Sequence, residues 1–120
     1  MDVEATVARR IAEATGVRAY LEVPKDEDLE PDCDFITVEQ TGGGAGMLDP
    51  VQLDIDCWSS KRKGGRKRAR AVARLVEAAV LDLDEEPNIF HPTVENTYRM
   101  NDPDTGRPRY VVQAQVWVCE

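Results

Sequence analysis

The sequence predicts a single α+β domain over residues 1–120, in which two helices pack on one face of a mostly antiparallel sheet. Two segments carry apolar residues at helical spacing, and three carry apolar residues at alternate positions. Stretches rich in Gly, Pro and Asp separate them. The predicted order is α-β-β-β-α-β-β, and 120 residues fit one domain of modest core size.

The first helix is predicted over residues 2–15, because apolar residues recur there on one helical face. Asp2 can cap its start, and Gly16 can end it in the left-handed conformation. A strand over residues 17–23 follows. Residues 24–34 contain two prolines and several acids, so we expect an acidic loop with little regular structure.

The next strands are predicted over residues 35–40 and 51–58. They are joined by a flexible loop of glycine-rich sequence, TGGGAGM. Residues 51–58 alternate between apolar and polar side chains, which is typical of a strand with one buried face. Its apolar side chains are Val51, Leu53, Ile55 and Cys57.

The second helix is predicted over residues 64–83, with an apolar stripe that includes Leu75, and a hairpin of residues 88–99 and 109–119 closes the chain. The sheet face turned away from the helices then carries two tryptophans among polar groups. A face of this kind indicates burial against another subunit. The residues assigned to it are Asp54, Asp56, Trp58, Gln113, Gln115 and Trp117.

Charge is strongly segregated along the chain. Residues 61–74 hold 8 of the 15 Lys and Arg and no acid, whereas residues 1–60 carry a net charge of −10 and residues 75–120 one of −6. The total of −8 disfavours general nucleic-acid binding but leaves room for a local basic patch. The basic residues are Lys61, Arg62, Lys63, Arg66, Lys67, Arg68, Arg70 and Arg74.

The sequence gives little support for a catalytic or metal site. The single histidine, His91, has no nucleophile near it in sequence, and a structural role is more common for such a residue. Asp54 and Asp56 share a strand face, as metal-binding carboxylates do, but a solvated face or pairing with arginines of a neighbour explains them better. The three cysteines have no CxxC spacing. We therefore expect no enzyme activity, no cofactor and no metal.

Three interpretations of the basic segment remain open. It can form a charged protein interface, a solvated helix face or a nucleic-acid patch. We favour the interface, because the acidic loop of a neighbouring copy would complement it. Complementary patches on one molecule produce head-to-tail contacts, which close into rings when the rotation permits.

Several segments follow one another in a recognisable order. After the first helix come FITVEQTGGG, a strand that ends in CWSS, a helix RARAVARLVEAAV with a basic start, and the final strand RYVVQAQVWV. Together they resemble the tail terminator, or tail completion, proteins of long-tailed bacteriophages and prophages. The resemblance covers nearly the whole chain and involves no active-site motif.

The resemblance implies a structural, non-enzymatic protein of similar fold. Members form a hexameric ring that caps the tail tube, stops its growth and meets the head-side connector, while DNA passes through the lumen. Its partners would be further copies of itself, the tail tube protein and the connector. The protein would be found in the host cytoplasm during assembly and then at the head-proximal end of the virion tail, with no membrane association.

The expected interface residues follow from these patterns. The two tryptophans and the basic segment are expected at subunit or partner contacts, namely Trp58, Trp117, Lys61, Arg62, Lys63, Arg66, Arg70 and Arg74. The family's mobile partner-contact hairpin corresponds by position to residues 41–49, including Thr41, Gly42, Gly43, Gly44, Gly46 and Met47. The alternatives are another head-tail connector or neck protein, or a small nucleic-acid-binding module that uses residues 61–74.

Overall fold

A computed structural model of the chain describes residues 1–29, 32–43, 50–61 and 64–119, with the side chain of Asp26 left out. Two helices, five strands and two 3-10 turns make up this part of the chain. The helices are α1 (Val3–Thr15) and α2 (Gly65–Leu81), and the turns are Asp26–Asp28 and Leu83–Glu85. The strands are β1 (Ala19–Tyr20), β2 (Phe35–Gly43), β3 (Val51–Trp58), β4 (Ile89–Arg99) and β5 (Arg109–Val118).

The five strands form one sheet in the order β1-β2-β3-β5-β4. Three of the four strand pairs are antiparallel, and β1 pairs with β2 in parallel. The sheet is therefore mixed. The predicted first strand is much shorter than expected, because only Ala19 and Tyr20 reach β2 and the chain turns away at Leu21.

Both helices pack on the same face of the sheet, as the sequence predicts. α1 packs on β1 and β2, and α2 packs on β3, β4 and β5; both helices contribute to one buried core, so the α+β prediction is confirmed. Its largest buried side chains include Val7, Ile11, Ile36, Leu53, Ile55, Val76, Val80 and Val112. Leu75 was predicted in the apolar stripe of α2, but 49% of it is exposed, since α2 turns this position away from the sheet.

The ends of the helices are fixed by local contacts. Asp2 accepts a hydrogen bond from the amide of Ala5 at 3.1 Å, and Gly16 ends α1 with φ of 74°, as predicted. Arg10 on α1 reaches across to Glu86, past the end of α2, with an Nε–Oε2 distance of 2.7 Å. The hydrogen bond from Arg10 lowers the pKa of Glu86.

Candidate interaction surfaces

The helices leave one face of the sheet uncovered by any element that the structure describes. We call it the outer sheet face, and the strand register arranges its side chains in rows that run across β2, β3, β5 and β4. Successive rows contain Phe35, Trp58 and Arg109; Thr37, Asp56, Val111 and Tyr98; Glu39, Asp54, Gln113 and Asn96; and Gln52, Gln115 and Thr93. Trp117 and Phe90 form the last row.

Trp58 is packed at one end of this face. Its ring stacks on Phe35, with centroids 5.6 Å apart, and its Nε1 donates to Thr37 Oγ1 at 3.0 Å. The Arg109 guanidinium lies 4.7 Å above the ring centroid, a cation–π contact. Only 3% of Trp58 remains exposed, so most of its ring is occupied within its own protomer.

The middle of the outer sheet face is acidic. Glu39 and Asp54 are cross-strand partners, and Asp56 lies one row away on the same face. Burial raises the pKa of Asp56 to about 6, with Asp54 and Glu39 acting in the same direction and Arg109, 3.7 Å away, opposing them. Within the described residues, the side chains of Glu39 and Asp54 form no ion pair.

The opposite end of the outer sheet face is apolar. Phe90 and Trp117 face each other across β4 and β5, and 45% of Phe90 is exposed. Between them and the acidic rows, Gln52 Nε2 donates to Gln115 Oε1 at 2.8 Å. The face therefore changes from aromatic and cationic, through acidic and amide rows, to the half-buried Trp117 and the exposed Phe90.

The second surface lies at the start of α2, and we call it the basic α2 surface: Lys61, Arg66, Lys67, Arg70 and Arg74. These five side chains are exposed, and in the described part of the chain they form no ion pair with an acid. Several of them line an open cleft of about 520 Å³. The other residues that line it are Gly64, Gly65, Pro108 and Tyr110.

Two glycines bring the chain into α2 at this point. Gly64 adopts φ of 85° and offers no side-chain cap to the helix. Gly65 passes close to the preceding segment, since a Cβ there would lie 2.0 Å from the carbonyl oxygen of Ser60. With no acid in the first turn, the start of α2 keeps its positive electrostatic character.

Arg68 differs from its basic neighbours because it is engaged within the protomer. Its guanidinium lies 3.1 Å from Asp34 Oδ1 and donates to the Asp32 carbonyl at 2.6 Å. Ser59 donates to Asp34 at 2.6 Å, and Ser60 donates to Asp32 at 2.8 Å. The serines of the CWSS segment thus fix the end of the acidic loop, a contact that the sequence analysis did not predict.

The candidate catalytic residues His91, Cys33, Cys57 and Cys119 lie on different strands or beside them. His91 is exposed at a register shift in β4, where its φ is 49°. Burial raises the pKa of the Cys57 thiol, and Cys33 and Cys119 are half-buried. In the residues that the structure describes, no group of three or more His, Cys, Asp or Glu is placed to hold a metal ion. No described helix is both long and apolar enough to cross a bilayer.

Comparison with protein families gives a match that covers most of this architecture. The model of the family described as tail completion protein gp17 matches residues 33–119. The chain belongs to this family. Among curated proteins, no significant match to the chain is found.

The match to the tail completion family includes both surfaces. It begins just before β2 and ends just after β5, so the outer sheet face and the basic α2 surface lie within it, while α1 and β1 precede it. The resemblance inferred from sequence is thereby confirmed at the level of the family. The protein is a phage tail completion protein, and its family places it in the tail of the virion.

The structure separates the expected interface residues of this tail completion protein into groups. Trp58 and Trp117 lie on the outer sheet face, but only the Trp117 end offers exposed aromatic surface. Thr41, Gly42 and Gly43 belong to β2 rather than to a loop. Lys61, Arg66, Arg70 and Arg74 lie on the basic α2 surface. Five further expected positions fall outside the described residues: Gly44, Gly46, Met47, Arg62 and Lys63.

Proposed function

We propose that this tail completion protein forms a ring on the head-proximal end of the tail tube, where it ends tube growth and joins the tail to the head. Family membership supports a role in completing the tail. The observation that carries the ring is the separation of charge onto two surfaces, one basic at the start of α2 and one acidic on the sheet, whose exposed side chains have no ion-pair partner among the described residues. Such complementary patches favour head-to-tail association.

The ring would contain about six copies, the number that the family resemblance implies for a closed cyclic assembly. Its partners would be further copies of this chain, the tail tube protein and the head-side connector, with DNA as a passenger through the lumen. The role is structural, without catalysis, cofactor or membrane. Assembly would take place in the host cytoplasm and end in the virion.

In the proposed contacts, the exposed cations of the basic α2 surface meet acidic groups on a neighbouring copy or on the tube. Trp117, with Phe90 beside it, is better placed than Trp58 to anchor a partner, because more of that end is exposed. The segment of residues 41–49 would supply a further partner contact; residues 44–49 lie outside the described part of the chain.

Polymerisation of purified tail tube protein tests the proposed function. Tubes grown with the tail completion protein should be shorter than tubes grown alone, and gold-labelled protein should appear at one tube end only. A variant with Arg66→Glu and Arg70→Glu should label fewer ends, whereas Arg18→Glu, an exposed change outside both surfaces, should label as many as wild type. Unchanged tube length with labels along the walls would contradict tube capping.

The cleft at the start of α2 gives a specific reason to test DNA binding as a second function. Lys61, Arg66, Lys67 and Arg70 line it without acidic partners in the part of the chain that the structure describes. If the cleft binds DNA, duplex DNA should be retarded in a gel, with an affinity that falls steeply with salt. We expect no such shift at physiological salt, since the rest of the chain is acidic.

A further inference from the structure

We infer that the exposed face of α2 in one copy lies along the outer sheet face of the next copy, with arginines over the acidic rows and Leu81 against Phe90 and Trp117. This inference rests on the proposed ring and specifies its subunit contact. It assigns an occupant to the sheet face that the protomer's own helices leave uncovered. The residues of α2 concerned are Lys67, Arg70, Arg74, Ala78 and Leu81.

These five residues share one side of the helix. Their spacing of i, i+3, i+7, i+11 and i+14 repeats at the helical period, and each of them is exposed. The first three are cationic, and the last, Leu81, is 56% exposed. The helix therefore presents a stripe that is basic toward its start and aliphatic toward its end.

The outer sheet face shows the complementary sequence of properties. Glu39 and Asp54 lie side by side without ion-pair partners among the described residues, and Asp56 adds a third carboxylate in the next row. Further along the strands, the polarity ends at Trp117 and the exposed Phe90. On the sheet, acidic groups are followed by aromatic rings. On the helix, basic groups are followed by an aliphatic side chain, so the two orders match.

The spacing of the two patterns also agrees. Arg74 and Arg70 precede Leu81 by about 10 and 16 Å along the helix, at 1.5 Å per residue. On β5, Gln113 is the cross-strand partner of Asp54, and Trp117 lies four residues further on. This separation is about 13 Å at 3.3 Å per residue, which falls between the two helical distances. One helix that lies parallel to β5 of its neighbour can thus place its arginines near the acidic rows and Leu81 near Trp117 at the same time.

The acidic loop is a weaker complement for the same helix face. Asp32 and Asp34 at its end already accept hydrogen bonds from Ser60, Ser59 and Arg68. Glu27 and Asp28 are the exposed carboxylates that the structure describes in this loop. The outer sheet face offers both the carboxylates and the aromatic side chains that complement the helix.

The two contacting surfaces lie on opposite sides of the protomer, since α2 covers the inner sheet face and the contact uses the outer one. An association of this kind is head-to-tail, so every copy can contact one neighbour through α2 and a second neighbour through its outer sheet face. Repetition of the contact closes a ring when the rotation permits.

Charge exchange between the two surfaces tests the contact. Arg74→Glu and Asp54→Arg should each weaken assembly at least tenfold, measured by native mass spectrometry of the chain alone and on tail tubes. The double variant should regain most of the loss, because it restores opposite charges. Arg18→Glu and Asp84→Arg, matched reversals of exposed residues outside both surfaces, should assemble like wild type.

A disulfide assay serves if a charge variant fails to fold. Chains with Leu81→Cys are mixed with chains with Phe90→Cys, both in a background of Cys33→Ser and Cys119→Ser. Oxidation should give mixed pairs and few like pairs. Rings that form normally but show neither charge rescue nor mixed pairs would overturn the contact and leave the ring intact. If Glu27→Arg is the only variant that weakens assembly, the contact lies on the acidic loop and not on the outer sheet face. Wild-type chains that never assemble, alone or on tubes, would overturn both proposals.

Discussion

Trp58 lies nearly parallel to Phe35, with an angle of 7° between the rings and 5.6 Å between their centroids. The two residues are cross-strand partners on β3 and β2, so the stack joins two strands on the side of the sheet that the helices do not cover. Arg109 closes the other side of the indole. This end of the outer sheet face is thus a small second core within the protomer.

Trp58→Ala should therefore destabilise the protomer itself. Removal of a buried tryptophan costs about 3–5 kcal/mol through lost burial and a residual cavity. Trp117→Ala should cost much less, because Trp117 is only half-buried, and should act on assembly instead. Urea unfolding of both variants measures the difference. Equal, small losses in both would show that the stack contributes little to stability.

The stability of the fold should depend on pH through Asp56. Its pKa is raised by burial to about 6, so the proton is held more tightly in the folded than in the unfolded state. The stabilising effect of that proton is present below pH 4 and is lost as pH rises through about 6. Relative to Asp56→Asn, the free energy of unfolding of the wild-type protein should fall by at most about 3 kcal/mol between pH 4 and 7.

Urea unfolding at half-unit steps from pH 4 to 7.5 measures this difference. Asp56→Asn keeps the shape of the side chain while it removes the titration. A difference between the two proteins that does not change with pH would contradict the account of Asp56. A difference that grows in favour of wild type as pH rises would show that Arg109 outweighs burial.

Arg68→Ala should loosen the end of the acidic loop. The substitution removes the ion pair with Asp34 and the hydrogen bond to the Asp32 carbonyl, which we expect to cost about 1–2 kcal/mol. Hydrogen exchange of the Asp34 and Phe35 amides should become faster. Lys67→Ala, one residue earlier on the exposed side of α2, is the matched control and should stay within about 0.5 kcal/mol of wild type.

Gly65→Ala should be poorly tolerated at the start of α2. Its Cβ would meet the Ser60 carbonyl oxygen at 2.0 Å, so the backbone must shift. We expect a loss of about 1–3 kcal/mol, typical of overpacking, in thermal unfolding. Gly42→Ala in β2 is the control, since its nearest contact would be 3.7 Å away. A Gly65→Ala protein as stable as the control would show that the backbone at the start of α2 adjusts freely.

The sequence was sufficient for the elements with strong local patterns. Residues 51–58 alternate strictly, and the observed β3 has the predicted bounds. The outer sheet face was also predicted correctly, because side-chain alternation assigns Asp54, Gln113 and Trp117 to one side once the core side is known. The family, recognised from the order of these segments, is confirmed.

Features that depend on tertiary contacts could not be predicted. Whether Leu75 faces the sheet depends on the rotation of α2, which the neighbouring strands set. The stack on Trp58 depends on its register with Phe35, and the pairing of Ser59 with Asp34 joins residues 25 positions apart. No local pattern specifies such partners.

Native mass spectrometry over a concentration range, with negative-stain images of the same samples alone and on tail tubes, tests the central claim most directly. We expect a closed ring of about six copies, in solution or at the tube end. The result that would contradict the account is a chain that remains monomeric at every concentration and is absent from the ends of tail tubes.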